Sequence, residues 1–351
     1  MINKKDKILG LVYAFTKERR YDLVRDLGVQ WIRFNIPFPW TEKMFGAPSA
    51  RWLTVKESLR PAVDAGLKVM PSIPCLGHWG FDAEKGVTRW HEDWPEFVGE
   101  KGTPQFYDNV RATAKFMCED LGSLAGGLWQ CMNEIDITMF RGDYSEEVAA
   151  AACRATAEGI KQANPQALCG HNFAGWDDTK HHLGDRLYTN NTPFDYCGVD
   201  HYFGSMQEGS VESWPRVINE IYERWHLPVL INEWGYVSNA RTCTEAERPA
   251  PSDIPEGWMD NCVVNGLFYE APGGHTPEVA AEYFRRGLEI FAKHPHVLGN
   301  FLFAFADAPT CWHCGRPECP AECYWGIVDK NLNPKPAYYA IQKAIAEYYR
   351  V

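Results

Sequence analysis

Two glutamates, each at the end of a short apolar run, carry the strongest chemical signal in the sequence. Glu134 ends the run GLWQCMNE at 127–134, and Glu233 lies in the run PVLINEWG at 228–235. Both runs are apolar without strict alternation, which is typical of buried parallel strands. In an α/β barrel, the carboxyl ends of such strands form the catalytic face. Two carboxylates facing one cleft are the groups that cleavage of a glycosidic bond requires.

The spacing of the two glutamates fits a barrel. Glu134 and Glu233 are 99 residues apart. Three strand–helix units between them have about 33 residues each, close to the ~31 residues per unit of a typical eightfold barrel. The dipeptide Asn219-Glu220 is an internal control, because it lies in a segment, 213–224, with helical spacing. The strand context therefore carries the signal, and we predict that Glu220 lies on a surface helix.

Strands and helices alternate along the whole chain, which predicts a parallel sheet. Eight strands are predicted, at 8–15, 29–36, 67–73, 127–133, 167–171, 196–202, 229–232 and 298–305. Eight helices are predicted, at 17–27, 54–65, 105–121, 145–163, 176–187, 213–225, 277–293 and 337–349. These counts favour a (β/α)8 TIM barrel, and no Gly-rich phosphate loop follows the first strand, which argues against a dinucleotide fold. We assign residues 1–351 to a single catalytic barrel domain.

Two connections are unusually long, 75–103 after strand 3 and 237–276 after strand 7. Long connections within a compact domain are usually functional, so we expect both to wall the active face.

Composition narrows the function classes. The chain is 45% hydrophobic and 14% aromatic, and its net charge is −11 without a basic run. These values fit a large core and argue against nucleic acid or anionic membranes as partners. The sequence has neither a transmembrane run nor a signal-peptide core, so we expect a cytoplasmic protein. It does not indicate an oligomeric state or an organic cofactor.

A cluster of four cysteines follows the eighth predicted strand. Cys311, Cys314, Cys319 and Cys323 have the spacing C-x2-C-x4-C-x3-C in a turn-rich segment. Four thiolates suit a closed tetrahedral zinc site, so structural zinc is the first interpretation. Disulfides, an iron–sulfur cluster and unligated thiols are the alternatives. Cys243 and Cys262 form a separate pair or remain reduced.

The strand ends resemble those of clan A glycoside hydrolases. Asn133-Glu134 and Glu233-Trp234-Gly235 resemble the acid/base and nucleophile signatures of that clan. Further similar segments are WIRF at 31–34, DHYFG at 200–204, FAFAD at 303–307, YWGIVD at 324–329 and KPAY at 335–338. The likeness covers most of the chain but does not distinguish among families 5, 2 and 39.

The resemblance implies a retaining β-glycoside hydrolase on a (β/α)8 barrel, with Glu233 as nucleophile and Glu134 as acid/base. Its carbohydrate substrate would be a β-linked oligosaccharide or glycoconjugate. The resemblance also implies that Arg33 and Tyr202 support Glu233. Asn133 would bind the 2-hydroxyl of the sugar, an interaction that strengthens toward the transition state.

The remaining sugar-binding candidates are aromatic residues and histidines near strand ends and in long loops. They are His78, Trp79, His201, Trp234, Trp312 and Trp325, together with His171, Trp90 and Trp94. Each has a structural alternative as core or loop packing. The clan often has a tryptophan at the end of strand 8, where this chain has Phe303 and Phe305, so Trp312, Trp325 or Trp234 would supply the sugar platform instead.

Two other functions remain open from the sequence. One is a carbohydrate-binding or transglycosylating relative with little hydrolysis, although both glutamates are present. The other is a zinc-dependent protein centred on the cysteine cluster, although all-thiolate ligation is unsuited to catalytic zinc.

Overall fold

Eight parallel strands close into a barrel. The computed structural model describes residues 6–240 and 273–349. The barrel strands, in chain order, are β1 (Ile8–Val12), β2 (Trp31–Asn35), β3 (Lys68–Ser72), β6 (Leu128–Gln130), β7 (Leu168–Ala174), β8 (Tyr196–Asp200), β9 (Val229–Trp234) and β10 (Val297–Leu302). They follow the order β1-β10-β9-β8-β7-β6-β3-β2, and every neighbouring pair is parallel. The predicted (β/α)8 barrel is confirmed.

Helices surround the barrel. In the part of the chain that the structure describes, they are α1 (Tyr21–Leu27), α2 (Ala50–Asp64), α3 (Pro104–Leu121), α4 (Thr138–Arg141), α5 (Glu146–Ala163), α6 (His181–Tyr188), α7 (Trp214–Trp225), α8 (Pro277–Lys293) and α9 (Pro336–Tyr348). Local sequence explains several starts. The side chains of Ser49, Thr103, Ser145 and Thr276 each cap a helix by accepting a hydrogen bond from a first-turn amide. Such caps satisfy amides that the helix itself leaves unpaired.

The apolar residues form two layers. A small cluster fills the barrel interior and includes Trp31, Tyr196 and Phe301. A much larger cluster lies between the strands and the helices. Successive strand residues face opposite sides of the sheet, so each strand contributes to both layers. The side chains at the carboxyl ends of the strands are left for the mouth of the barrel.

The connection at 75–103 contains structure that we had not predicted. Strand β4 (Gly77–Asp82) pairs with β5 (Val87–Glu92) in an antiparallel hairpin. A Cβ at Gly77 would lie 2.3 Å from the Trp90 ring, so only glycine allows this close pairing. Most of the other long connection, 237–276, lies outside the described residues, as do Cys243 and Cys262.

Candidate active site

Polar side chains from four barrel strands meet at the carboxyl end of the barrel. Arg33 comes from β2, Asn133 and Glu134 from the turn after β6, Tyr202 from the segment after β8, and Glu233 from β9. This is the end at which barrel enzymes place their chemistry, since the loops there vary while the strands hold them in place.

Glu233 is a buried carboxylate with a donor on each oxygen. The Arg33 guanidinium donates to Oε1 of Glu233, and the Tyr202 hydroxyl donates to Oε2. Burial lowers the pKa of Arg33, but Glu233 and Asp200 raise it above its ordinary value, so the guanidinium stays charged. Burial and the charge of Glu233 raise the pKa of Tyr202 well above its ordinary value, which keeps its hydroxyl a donor. The two contacts fix the orientation of Glu233 and compensate its charge.

Asn133 is the centre of a network of amide groups. Its Oδ1 accepts hydrogen bonds from Arg33 Nη2 at 2.8 Å, Gln130 Nε2 at 2.9 Å and Asn172 Nδ2 at 2.9 Å. Asn232 Nδ2 in turn donates to Gln130 Oε1 at 2.7 Å. Three donors on one oxygen assign the orientation of the amide, because a flipped amide would place its N–H groups against other donors.

Glu134 lies in a turn with unusual backbone geometry. Its φ is +44°, and that of Met132 is +62°. The Glu134 amide donates to the Asn172 carbonyl oxygen at 3.2 Å, and the Asn133 amide donates to Cys75 Sγ at 3.1 Å. Left-handed backbone is costly for residues other than glycine and is concentrated at functional sites. The neighbouring strands thus hold the turn in a conformation that it would not adopt alone.

The environment of Glu134 suits a proton donor. Glu134 is only partly exposed. Burial, followed by the negative charges of Glu233 and Asp136, raises the pKa of Glu134 to about 8. A hydrogen bond with Asp200 and the charge of Arg33 oppose that rise. Glu134 is therefore protonated at neutral pH, unlike an ordinary glutamate.

Sequence reasoning missed three polar residues of the site, Asp200, Asn172 and Gln130. Asp200 is 1% exposed, and Asn172 Nδ2 donates to its Oδ2. Burial, then Glu233 and Glu134, raise the pKa of Asp200 well above its ordinary value. Asp200 is the last residue of β8. Gln130 and Asn172 are polar residues within the otherwise apolar strands β6 and β7. Those positions were the available signal, since a buried polar side chain requires partners.

Two predicted binding residues lie in the core instead. The His201 ring stacks on Phe203 at 3.8 Å and meets Trp214 of α7, and burial lowers its pKa to about 4. Trp234 is fully buried, packs on Phe291 of α8 and donates to an asparagine within the barrel wall. Neither ring has a face open to a sugar. Alternation explains His201, because its neighbours Asp200 and Tyr202 face the mouth. In β9 a bulge is responsible: Ile231 lies opposite Val199 but Glu233 lies opposite Asp200, so Glu233 joins Asn232 on the inner side and Trp234 faces the helices.

Phe303 and Trp325 lie beside the nucleophile candidate. The Trp325 ring is 4.8 Å from the Tyr202 ring and is 1% exposed, so it supports the site from beneath. Phe303 is partly exposed and lies 5.6 Å from Tyr202 and 5.8 Å from Phe15. Phe303 is thus a partly accessible aromatic ring beside Tyr202.

The other predicted binding residues belong to the hairpin and to the loop after β10. His78 contacts Asp93 at 3.1 Å, and the Trp79 ring is 6.0 Å from that of Trp90. Trp312 lies 6.3 Å from Phe140 of α4, the helix that follows the Glu134 turn. The Phe81 amide donates to the Trp312 carbonyl oxygen at 2.9 Å. Together they form a wall at the side of the site that carries Glu134.

The two remaining aromatic candidates are core residues. Trp94 is 1% exposed and donates to the Pro74 carbonyl oxygen at 3.2 Å. His171 is fully buried, and burial lowers its pKa to about 4.

Three of the four clustered cysteines could hold a metal. The sulfur atoms of Cys311, Cys314 and Cys319 lie within 4.8 Å of one another in a buried cluster that also contains Cys323.

None of the helices in the described ranges is both long and apolar enough to cross a membrane.

Comparisons with known proteins connect the fold to glycosidases. No protein-family profile and no curated protein sequence matches the chain. Among solved structures, β-glucuronidase 2 of Bacteroides uniformis, covalently bound to cyclophellitol-6-carboxylate aziridine, matches with a TM-score of 0.62 and 15% identity, over 100% of this chain and 37% of that one. The exo-β-1,4-mannosidase Op5Man5 of Opitutaceae bacterium strain TAV5 matches with a TM-score of 0.62 and 17% identity, over 98% of this chain and 60% of that one. The GH53 catalytic domain of Ignisphaera aggregans matches with a TM-score of 0.59 and 14% identity, over 97% of this chain and 96% of that one.

At these identities the likeness shows the fold alone. The chain spans about a third to a half of the length of the β-glucuronidases that it matches.

Proposed function

We propose that the chain is a retaining β-glycoside hydrolase that acts on a carbohydrate substrate. One observation carries the proposal, the unlike environments of the two glutamates. Glu233 is buried against a cation and a hydroxyl donor, whereas the pKa of Glu134 is raised to about 8. A pair in which one carboxyl group is charged and the other protonated is what double displacement requires.

The proposed reaction has two steps. In the first, a Glu233 oxygen attacks the anomeric carbon while Glu134 gives its proton to the glycosidic oxygen, and the bond to the leaving group breaks. In the second, the Glu134 carboxylate takes a proton from water, whose oxygen attacks the same carbon and releases Glu233. Asn133 presents its amide N–H groups to the sugar, because its oxygen already has three donors.

The fold comparisons support the proposal, since the similar structures carry the names of glycosidases on the same barrel. The β-glucuronidase bound covalently to an aziridine sugar mimic also suggests a probe. A covalent mimic of this kind labels the carboxylate that attacks the anomeric carbon.

The first experiment compares variants on aryl β-glycosides. Glu233→Gln should lower kcat by several powers of ten without unfolding the protein, because the nucleophile is lost but its shape is kept. Glu220→Gln is the matched control: it changes the Asn-Glu pair on the surface of α7 and should leave activity unchanged. Activity of Glu233→Gln above about a tenth of wild type would refute the assignment.

The second experiment separates the acid from the nucleophile. Glu134→Ala should slow substrates with poor leaving groups far more than aryl glycosides with good ones, since a good leaving group needs little protonation. Azide should restore Glu233→Ala, and labelling with cyclophellitol aziridines should locate on Glu233. NMR of the first product formed gives its anomeric configuration, and an inverted configuration would contradict the retaining mechanism.

A further inference from the structure

The segment between β10 and α9 is held together without regular secondary structure. The structure describes all of residues 303–335, and only the isolated bridges Ala306–Val328 and Val328–Pro334 occur there. Many of these residues are nevertheless buried, among them Ala321 and Trp325. Loops this long without their own helices or strands are uncommon in compact domains, so another interaction must define this one.

Asp307 ties the ends of the segment together by accepting hydrogen bonds from the Gly326 amide and from Lys335. The cysteine cluster lies between them. The Gly315 amide, in a residue with φ of +71°, donates to the Cys311 carbonyl oxygen at 2.7 Å and closes a turn around Cys314. The Cys323 amide donates to the Cys319 carbonyl oxygen at 2.9 Å, which brings the fourth cysteine back to the cluster. Three sulfurs already lie within 4.8 Å of one another. In a tetrahedral zinc site with ~2.3 Å bonds, sulfurs are about 3.8 Å apart, so a small contraction suffices for these three. The Cys323 sulfur, which lies 3.9 Å from the Arg316 carbonyl oxygen, must turn toward them to complete the set.

We propose that Cys311, Cys314, Cys319 and Cys323 bind one zinc ion through four thiolates. Soft sulfur ligands favour zinc over hard cations, and a complete set of four leaves no open position for a substrate. The site is therefore structural. Binding releases the thiol protons, and its free energy adds directly to the stability of the folded loop.

The position of the cluster gives the metal a second consequence. On one side, the carbonyl oxygens of Trp312 and His313 accept hydrogen bonds from Phe81 and Thr88 of the hairpin, the latter at 2.5 Å. The zinc would therefore fix the hairpin wall.

On the other side, the cluster reaches the floor of the candidate active site. Trp325 Nε1 donates to the Ala321 carbonyl oxygen at 2.7 Å, and the same ring packs on Tyr202. The zinc site would thereby connect the hairpin to Trp325, whose ring packs on Tyr202, the residue that donates to Glu233.

The test measures the metal directly, so its outcome is independent of any glycosidase activity. Elemental analysis of the purified full chain should find one zinc per chain. Cys314→Ser should lower the zinc content at least tenfold, whereas Cys118→Ser, which changes a buried cysteine on α3, should keep one zinc. If Cys314→Ser does not fold, cobalt exchange into the wild-type chain should give the absorption bands of a tetrahedral cobalt–thiolate site.

Removing zinc with an organomercurial and a chelator should lower Tm, and adding zinc back under reducing conditions should restore it. Metal-free protein with these four cysteines oxidised, by mass spectrometry, would replace the proposal with disulfides. Metal-free reduced protein, or iron with inorganic sulfide in place of zinc, would also overturn it.

Discussion

Replacing Glu134 by glutamine should stabilise the protein, and more strongly as the pH rises. The carboxyl pKa is raised from 4.5 to about 8 in the folded protein. The stability contributed by the protonated group is complete below pH 4.5 and is lost as the pH rises toward 8, because the unfolded chain releases this proton first. Glutamine has nearly the same shape and no proton to lose. The variant and the wild type should therefore be equally stable at pH 4 and differ at pH 9.

The size of the difference follows from the pKa. A rise of roughly 3.5 pH units at about 1.4 kcal/mol per unit gives an upper bound of roughly 5 kcal/mol for Glu134. Glu134 is partly exposed, so water screens its charge and we expect about half of that. The unfolding entropy of a 351-residue chain is about 0.7 kcal/mol per kelvin. Glu134→Gln should thus raise Tm at pH 9 by about 3–4 °C, and by no more than about 7 °C.

The assay measures the thermal unfolding of both proteins by calorimetry at a series of pH values between 4 and 10. Glu57→Gln, which removes an exposed carboxylate on α2, is the control and should reproduce the wild-type curve. A Tm difference between Glu134→Gln and wild type that is the same at pH 4 and pH 9 would refute the raised pKa. Without a raised pKa, the reason for assigning Glu134 as the acid would also be lost.

Two further substitutions test the surroundings of Glu233. Tyr202→Phe should lower kcat by about tenfold to a hundredfold, because a hydrogen bond to a charged group contributes about 1.5–3 kcal/mol. The same loss should lower Tm by about 2–4 °C, while the ring still packs on Trp325. Unchanged kcat would show that the hydroxyl is dispensable. Gly235→Ala should destabilise the protein by about 1–3 kcal/mol, since the new Cβ would lie 2.2 Å from the Phe303 carbonyl oxygen. Chemical denaturation measures that loss, and a stability equal to wild type would contradict the close approach.

The fold was predictable because its information is periodic and local. Each barrel strand is a short apolar run followed by a helix with polar and apolar faces, so the eight predicted strands coincide with the eight barrel strands. The hairpin of β4 and β5 was not predicted. Its turn at 83–86 lacks a two-residue Asn-Gly or Asp-Gly signal, and its strands are only partly buried, so their alternation is weak.

The sequence predicted which residues lie at the ends of the barrel strands. It did not predict which side of the strand each of their side chains faces. Arg33, Glu134, Tyr202 and Glu233 come together as the sequence indicates. Trp234 is buried against a helix because a bulge in β9 shifts the register between Ile231 and Glu233, whereas regular alternation from Leu230, inside the barrel, would have placed Trp234 inside as well. Asp200 was missed because its role depends on two carboxyl groups from other strands, which no local pattern reveals.

Closure of the barrel joins the two ends of the described chain. Ile8 of β1 lies opposite Gly299 of β10, so the last seam pairs segments almost three hundred residues apart. Until β10 is made, β1 and β9 each present an unpaired edge, the kind of edge that attracts other strands. Contacts so distant in sequence also slow folding, because the chain must first lose the entropy of a very long loop. A nascent chain released before residue 302 would therefore be an open sheet with two adhesive edges, prone to association with other copies.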